Sequence, residues 1–269
     1  RGWPPAPDAD RVGAAVKNNE GEWVLLNGNQ TALMFVYYLI TRWKELGKIN
    51  GKEYIVKTIV TTETIKTIAE RNGVEMYDVY TGFKWIANVM RENEGKKNYI
   101  GGGEESYGFL CEDFVRDKDA VSACVILAEI AAWAKDQGLS LYQLLQKIYV
   151  EYGFSKEKGI SVVKKGKSGA EEIEAMMKKF RENPLTEIAG SKVTYFYDYS
   201  TLKGKDYAEN ETVTLDMPTT SNVLQYFTED NTKVSIRPSG TEPKIKFYCE
   251  VHSKVKSIDE LPEAEKAAE

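Results

Sequence analysis

Histidine and cysteine are scarce in this chain. Of 269 residues, three are cysteine and one is histidine. Cys111, Cys124 and Cys249 are isolated, odd in number and outside any Cys-x-x-Cys spacing. That argues against zinc and fits a reducing, cytoplasmic compartment. A Ser-His-Asp triad or a multi-histidine metal site would have to use His252, which lies in a polar stretch and reads as a surface histidine. Long apolar runs are also missing. None approaches the roughly 18 residues of a membrane span, so no membrane association is expected. Arg1-Gly2-Trp3-Pro4-Pro5 leads into polar sequence rather than an apolar h-region, so no signal peptide is expected. Positive charge is not in excess either. A net charge of −5 argues against broad nucleic-acid binding, though local basic groups can still hold small anions.

What is present is ordinary globular sequence, 42% hydrophobic and long enough for two domains. Residues 12–26 read as a hairpin around Asn18-Asn19-Glu20-Gly21. A helix is predicted from Gln30 to Leu46, ended by Gly47. Tyr54–Thr61 is β-branched and reads as a buried strand. A helix over Glu63–Asn72 follows, with Thr62 as its expected cap, then a strand over Val74–Tyr80. Phe83, Ile86, Ala87 and Met90 have helical spacing, and Asn98–Ile100 reads as a short strand. Strand and helix in alternation imply an α/β layer with a largely parallel sheet. Asp119 is the expected cap of an apolar, buried helix over Ala120–Gln137, and another helix covers Leu141–Tyr152. Beyond Gly153 the sequence turns charged. Ser168 to Glu171 reads as a capping box opening a helix to Asn183, and residues 191–251 read mostly as strands. The acidic tail after Asp259 reads as a frayed helix or a disordered segment.

Three segments carry chemistry. Arg237-Pro238-Ser239-Gly240-Thr241 sits between two stretches of strand periodicity. Its guanidinium can fork onto two phosphate oxygens, Ser239 and Thr241 can donate hydroxyls, and Gly240 allows close backbone approach. Taken alone, it is also what an ordinary Pro/Gly turn looks like. No GK[ST] follows, so it is not a P-loop. Gly166-Lys167-Ser168 is not one either, since Ser161 stands where the first glycine belongs. The second segment is Gly101-Gly102-Gly103-Glu104-Glu105-Ser106-Tyr107-Gly108. It reads as a glycine-rich loop free to adopt unusual backbone angles, whose carboxylates and hydroxyl suit vicinal sugar hydroxyls; taken alone, it is also what a solvated, flexible loop looks like. A glycosidase pair is disfavoured, because adjacent residues on one loop rarely face a target from opposite sides. The third, Pro7-Asp8-Ala9-Asp10-Arg11, alternates aspartates as a hard cation such as Mg²⁺ would require, although an acidic turn is commonplace.

Together and in this order, these segments resemble the α-D-phosphohexomutases, the phosphoglucomutase/phosphomannomutase superfamily. Thr81-Gly82-Phe83-Lys84 and the stretch from Asp113 to Val121 add to the likeness. The resemblance implies a phosphoglucomutase-type α/β/α domain followed by a TATA-binding-protein-like α+β domain. Residues 1–27 would end the metal-loop domain, 28–152 would be the sugar-recognition domain, and 153–269 the phosphate-binding domain. It also implies roles. Asp8 and Asp10 would bind Mg²⁺, with Arg11 beside a phosphoserine. Glu104 and Ser106 would hold sugar hydroxyls. Arg237, Ser239, Gly240 and Thr241 would clamp the substrate phosphate, with Lys84 approaching it. The implied activity is isomerisation of a hexose phosphate, an intramolecular phosphotransfer through a hexose 1,6-bisphosphate. The two glutamates suggest glucose 1-phosphate and glucose 6-phosphate as substrates. Phosphomannomutase, phosphopentomutase and a non-catalytic sugar-phosphate module are the alternatives. Two departures stand out. Ala6 replaces a third aspartate, leaving the metal set incomplete, and no Ser-His-Asn serine loop occurs. The expectation is a fragment inactive by itself, whose partners are the missing N-terminal domains and which self-associates through the surface those domains would cover.

Overall fold

The computed structural model describes residues 8–164, 166–240 and 242–269, with the side chain of Lys167 left aside. A hairpin of β1 (Ala14–Lys17) and β2 (Trp23–Leu26) opens the described chain. Asn27 then caps α1 (Gly28–Glu45) through a capping box. Its side chain accepts from the Gln30 backbone, and the Gln30 side chain accepts from the Asn27 backbone. Next come β3 (Glu53–Thr58), α2 (Thr64–Arg71), β4 (Glu75–Val79), α3 (Phe83–Asn93), β5 (Asn98–Gly103) and β6 (Phe109–Cys111). Two helices follow, α4 (Ala120–Asp136) and α5 (Leu141–Tyr152).

The first sheet runs β4-β3-β5-β6. β3 pairs parallel with β4 and β5, and β6 returns antiparallel. Every residue of β3 is buried, as expected of a strand covered on both faces. Tyr54 and Val56 pack with Phe83, Ile86 and Met90 of α3 on one side. The opposite side meets α1, where Phe35 stacks on Phe109 at 4.3 Å between ring centroids. Each such fully buried side chain contributes about 1.5–3 kcal/mol of hydrophobic stabilisation.

Local expectations change here. Gly101, Gly102 and Gly103 lie inside β5 and are buried, none with a left-handed backbone. They are needed for close packing: a Cβ on Gly102 would lie 2.3 Å from the Val56 carbonyl oxygen. The left-handed conformation falls on Tyr107 instead, at φ 71°. Glu63 directly precedes α2 without a side-chain cap bond, and the cap comes from Thr62 as expected: its Oγ1 accepts from the Thr64 backbone N–H at 3.4 Å. Thr62 turns inward, and its backbone N–H donates to Asn29 Oδ1 at 3.0 Å. Asp119 does cap α4, accepting from the Val121 and Ser122 backbones, but the helix is buried on one face only. Val121 and Val125 are 66% and 63% exposed.

The chain divides into two compact units, one running through Phe154 with Lys254–Lys266, the other Ser155–Ser253 with Ala267–Glu269. The second unit begins with β7 (Phe154–Val163), α6 (Gly166–Glu182) and the short β8 (Glu187–Ile188). Its remaining strands are β9 (Ser191–Asp198), β10 (Lys203–Asp206), β11 (Glu211–Thr214), β12 (Leu224–Thr228), β13 (Lys233–Pro238) and β14 (Lys244–Ser253). They form a sheet in the order β11-β10-β9-β12-β13-β14-β7, with β8 beside β9. Ile173 and Met177 of α6 pack on Val193, Leu224, Tyr226, Ile236 and Ile245. The helix begins at Gly166, two residues before the expected capping serine. In the tail, a 3₁₀ turn at Ile258–Glu260 leads into α7 (Leu261–Ala267). Among the described residues no helix is long and apolar enough to cross a membrane.

Candidate functional site

In the first unit, helix N-termini and strand C-termini meet at one edge of the parallel sheet, where open α/β sheets place ligands. Residues 104–108 leave the C-terminal end of β5 at this edge. Glu104 is buried, and its Oε1 accepts from the Gly82 backbone N–H at 2.7 Å. Its own N–H donates to the Gly108 carbonyl at 2.9 Å, closing the loop. Ser106 is half-buried and Tyr107 exposed. Gly82 immediately precedes α3, so the same contact ties the loop to Lys84, which is exposed with its ammonium 5.1 Å from the Trp85 ring centroid.

The aspartate segment joins this edge. Val12 N–H donates to the Tyr107 carbonyl at 3.2 Å, and Ala120 N–H to the Ala9 carbonyl at 3.0 Å. Asp10 Oδ2 lies 3.2 Å from the Lys118 ammonium and 3.8 Å from Arg11 Nε. Burial alone would lower the Lys118 pKa, but the Asp10 and Asp117 carboxylates hold it above the usual lysine value. Lys118 also packs on Gly108 and lies 5.9 Å from the Phe83 ring centroid. Asp10, Lys118, Glu104 and the Gly82–Phe83 turn are therefore neighbours, with Ser106 on the same loop and Lys84 next in α3, whereas Asp8 and Arg11 are exposed.

Among the described residues the donor set for a magnesium ion is incomplete: Asp8 and Asp10 offer two carboxylates, and water or a substrate phosphate would have to complete the shell. Mg²⁺ demands an octahedron of oxygens. Asp8 faces solvent and Asp10 shares an ammonium. No cluster of three His, Cys, Asp or Glu that could hold a metal occurs among the described residues. Ala6, where a third aspartate was expected, lies outside them.

The second unit presents the Arg237–Thr241 segment at the junction of β13 and β14. Ser239 N–H donates to the Lys244 carbonyl at 2.7 Å, closing the connection. Ser239 Oγ accepts from the Glu242 backbone at 3.4 Å. Gly240 is exposed, with open space where a Cβ would be. Thr241 lies outside the described residues. A cavity of ≈ 350 Å³ opens between α6 and the connection, lined by Ile173, Glu174, Met177, Pro238, Ser239 and Gly240. Register adds a cation that the sequence did not single out. Arg237 pairs directly with Lys246, so both project from the same sheet face. Like charges directly opposite on a sheet repel, and an anion relieves that repulsion.

His252 departs from its sequence reading. It lies on β14 with Nε2 2.8 Å from Glu250 Oε1, while Lys233 Nζ is 2.9 Å from Glu250 Oε2. Glu250 and Lys233 are buried. Burial pushes the Glu250 pKa up, but the Lys233 ammonium and the His252 imidazole against it outweigh that and hold it well below the carboxylate range. Burial likewise lowers His252, and the Glu250 carboxylate beside it more than reverses that, leaving it raised. This is a structural ion cluster rather than a surface histidine.

Two family models match the chain, "Phosphoglucomutase/phosphomannomutase, alpha/beta/alpha domain III" over residues 27–152 and "Phosphoglucomutase/phosphomannomutase, C-terminal domain" over 161–268. The chain belongs to the phosphoglucomutase/phosphomannomutase family. Within the α-D-phosphohexomutase superfamily it corresponds to the C-terminal region. A phosphoglucomutase from Staphylococcus aureus is 38% identical over 90% of this chain and 43% of its own length. One from Staphylococcus haemolyticus is 33% identical over 91% and 44%. The chain thus spans less than half the length of these curated relatives. The solved structure of the phosphoglucomutase parafusin from Paramecium, in an open form, covers 97% of this chain and 43% of its own at TM-score 0.60. At 17% identity it shows the fold alone, an α/β/α domain followed by the family's C-terminal domain.

Sequence reasoning missed three groups of residues. Gly28 lets the start of α1 touch the loop backbone: a Cβ there would lie 1.9 Å from the Glu105 carbonyl oxygen. Thr58 and Thr61 bring their hydroxyls to the Glu105 carboxylate. Lys246 stands beside Arg237. Only Lys246 left a sequence signal, since strand alternation after the loop gives its spacing but not its partner.

Proposed function

We propose that this chain supplies the sugar-recognition and substrate-phosphate-binding domains of a phosphoglucomutase, which interconverts glucose 1-phosphate and glucose 6-phosphate. The observation that carries this reading is the convergence of Glu104, Ser106, Lys118 and the Gly82–Lys84 turn at one sheet edge. Carboxylate, hydroxyl and ammonium groups gathered there suit a hexose phosphate. The name the relatives carry, phosphoglucomutase, supports glucose over mannose or a pentose.

In this reading Glu104 accepts hydrogen bonds from sugar hydroxyls, and Ser106 donates or accepts one. Arg237 forks onto the phosphate that is not being transferred, and Ser239 and the Gly240 backbone complete its cradle. That contact does no bond-making. It uses remote binding energy to hold the far hydroxyl in place. A phosphoserine from outside this chain passes its phosphoryl group to that hydroxyl: the serine O–P bond breaks as the sugar O–P bond forms, and the hydroxyl's proton passes to the freed serine oxygen, giving hexose 1,6-bisphosphate. The bisphosphate turns over, and its other phosphoryl group returns to the serine. Nothing is consumed, so the net change is isomerisation. Because the clamp must accept the substrate in both orientations, recognition of phosphate more than sugar suits it. The Asp10 carboxylate keeps the Lys118 ammonium protonated at the sheet edge, while Arg11 would stand beside the phosphoserine.

Calorimetric titration of the chain with glucose 1-phosphate, glucose and inorganic phosphate tests the reading. Tighter binding of glucose 1-phosphate than of either component, weakened roughly tenfold or more in Arg237→Ala, is expected. Equal binding of glucose 1-phosphate and inorganic phosphate would refute the sugar site.

A further inference from the structure

The loop at 104–108 carries two adjacent carboxylates, and the structure gives them different surroundings. Glu104 turns towards the Gly82 backbone. Glu105 turns the other way, to the end of β3. Its Oε2 lies 3.2 Å from Thr58 Oγ1 and 3.4 Å from Thr61 Oγ1. The two hydroxyls are 2.8 Å from each other. Each has one proton, so two protons serve three contacts. One hydroxyl donates to the carboxylate, while the other donates either to the first hydroxyl or to the carboxylate itself. A chain that ends on an anion is polarised towards it and strengthened.

The turn that presents these hydroxyls is itself held from below. Thr61 N–H donates to the Thr58 carbonyl at 2.9 Å. Lys57, 1% exposed, sets its ammonium 2.6 Å from Asp78 Oδ1 and 2.9 Å from Glu63 Oε1. The same ammonium lies 3.5 Å from the Thr58 and Thr61 carbonyls. A buried ammonium between two carboxylates tolerates little displacement, since moving either partner leaves charge uncompensated. Thr58 and Thr61 are wholly buried, so water does not compete for their hydroxyls. On its other side, the Glu105 backbone abuts Gly28.

We infer that Glu105 is a positioning residue, anchored by the Thr58 and Thr61 hydroxyls so that Glu104 and Ser106 are presented to the sugar. The inference rests on the sugar-site reading above. It divides labour between the two glutamates: Glu104 contacts the sugar, and Glu105 sets where the loop stands. The same anchor gives the loop a fixed position before any ligand arrives, which reduces the ordering cost of sugar binding.

Two readouts on the chain test it, with thermal melts checking the fold. The first is hydrogen exchange of residues 104–108 in the free chain. The second is the ratio of glucose 1-phosphate affinity to inorganic phosphate affinity, which cancels the phosphate clamp. In Thr58→Val/Thr61→Val, exchange at the loop should rise and the ratio should fall about tenfold, with inorganic phosphate binding unchanged. Thr58→Ser/Thr61→Ser keeps the hydroxyls and should restore both. Glu105→Ala removes the contact from its half-exposed side and should match the valine pair. A folded valine pair or Glu105→Ala chain with unchanged exchange and ratio overturns the inference alone. A ratio of one in the unsubstituted chain overturns the sugar-site reading and this inference with it.

Discussion

Glu104 and Gly82 are joined by a 2.7 Å hydrogen bond from backbone N–H to carboxylate, linking the sugar loop to the first turn of α3. Glu104→Ala would remove the acceptor from a backbone donor and should destabilise the first unit by about 1–3 kcal/mol. It should also remove the preference for glucose 1-phosphate over inorganic phosphate. Urea unfolding and calorimetry measure the two effects separately. Retained preference would show that Glu104 serves the fold only.

Gly28 and Glu105 form a backbone contact that leaves no room for a methyl group. In Gly28→Ala the new Cβ would sit 1.9 Å from the Glu105 carbonyl oxygen, so α1 or the loop must move. Overpacking of this kind costs about 1–3 kcal/mol. A lowered urea midpoint is expected, together with raised hydrogen exchange over residues 104–108. An unchanged midpoint would mean that the loop yields freely, contrary to a pinned position.

Lys246 lies opposite Arg237 on one sheet face. If both serve one phosphate, Lys246→Ala should weaken inorganic phosphate binding by a charge-assisted contact, about 1.5–3 kcal/mol. With the like-charge neighbour gone, the unliganded sheet should be no less stable. Lost stability with unchanged phosphate affinity would assign Lys246 to the sheet rather than to the site.

The Lys233–Glu250–His252 cluster gives the second unit a pH dependence of definite sign. His252 is raised above its ordinary 6.5, so its share of stability is full below that value and is lost as pH rises through the folded pKa. Glu250 is depressed, so its share is present above the ordinary 4.5 and is lost as pH falls through the folded value. As pH rises from 6.5 through the folded His252 pKa, the urea midpoint of the second unit should fall, and His252→Gln should flatten that slope. The groups facing the pair include Lys233 on β13 and Glu157 on β7, and Glu157 acts to keep His252 charged. An identical slope in the variant would place the titration elsewhere.

Much of the fold was legible along the chain because its signals are local. The period of two after Arg237, the helical spacing from Phe83 to Met90 and the Asp119 cap each act within a few residues. The alternation of strands and helices then sufficed for an α/β class. The composition of α4 misled for the same reason, since apolar content says how much a helix can bury but not which side has a neighbour. Site segments were visible as motifs because hydroxyls, carboxylates, guanidinium and glycine were concentrated in short stretches. Their geometry was not visible. Gly101 to Gly103 looked like a flexible loop, and only the approach of the Val56 backbone shows that they are strand residues with no room for side chains.

The sequence by itself therefore determined the elements, the class and the chemical inventory, since these depend on neighbours within a few residues. Tertiary structure alone decided that Glu105 meets Thr58 and Thr61, that Gly28 touches the loop, that Lys246 stands beside Arg237 and that His252 joins a buried ion cluster. Each of these relations is set by strand register or by packing between distant segments. Side-chain spacing along one segment carries no record of what another segment brings against it.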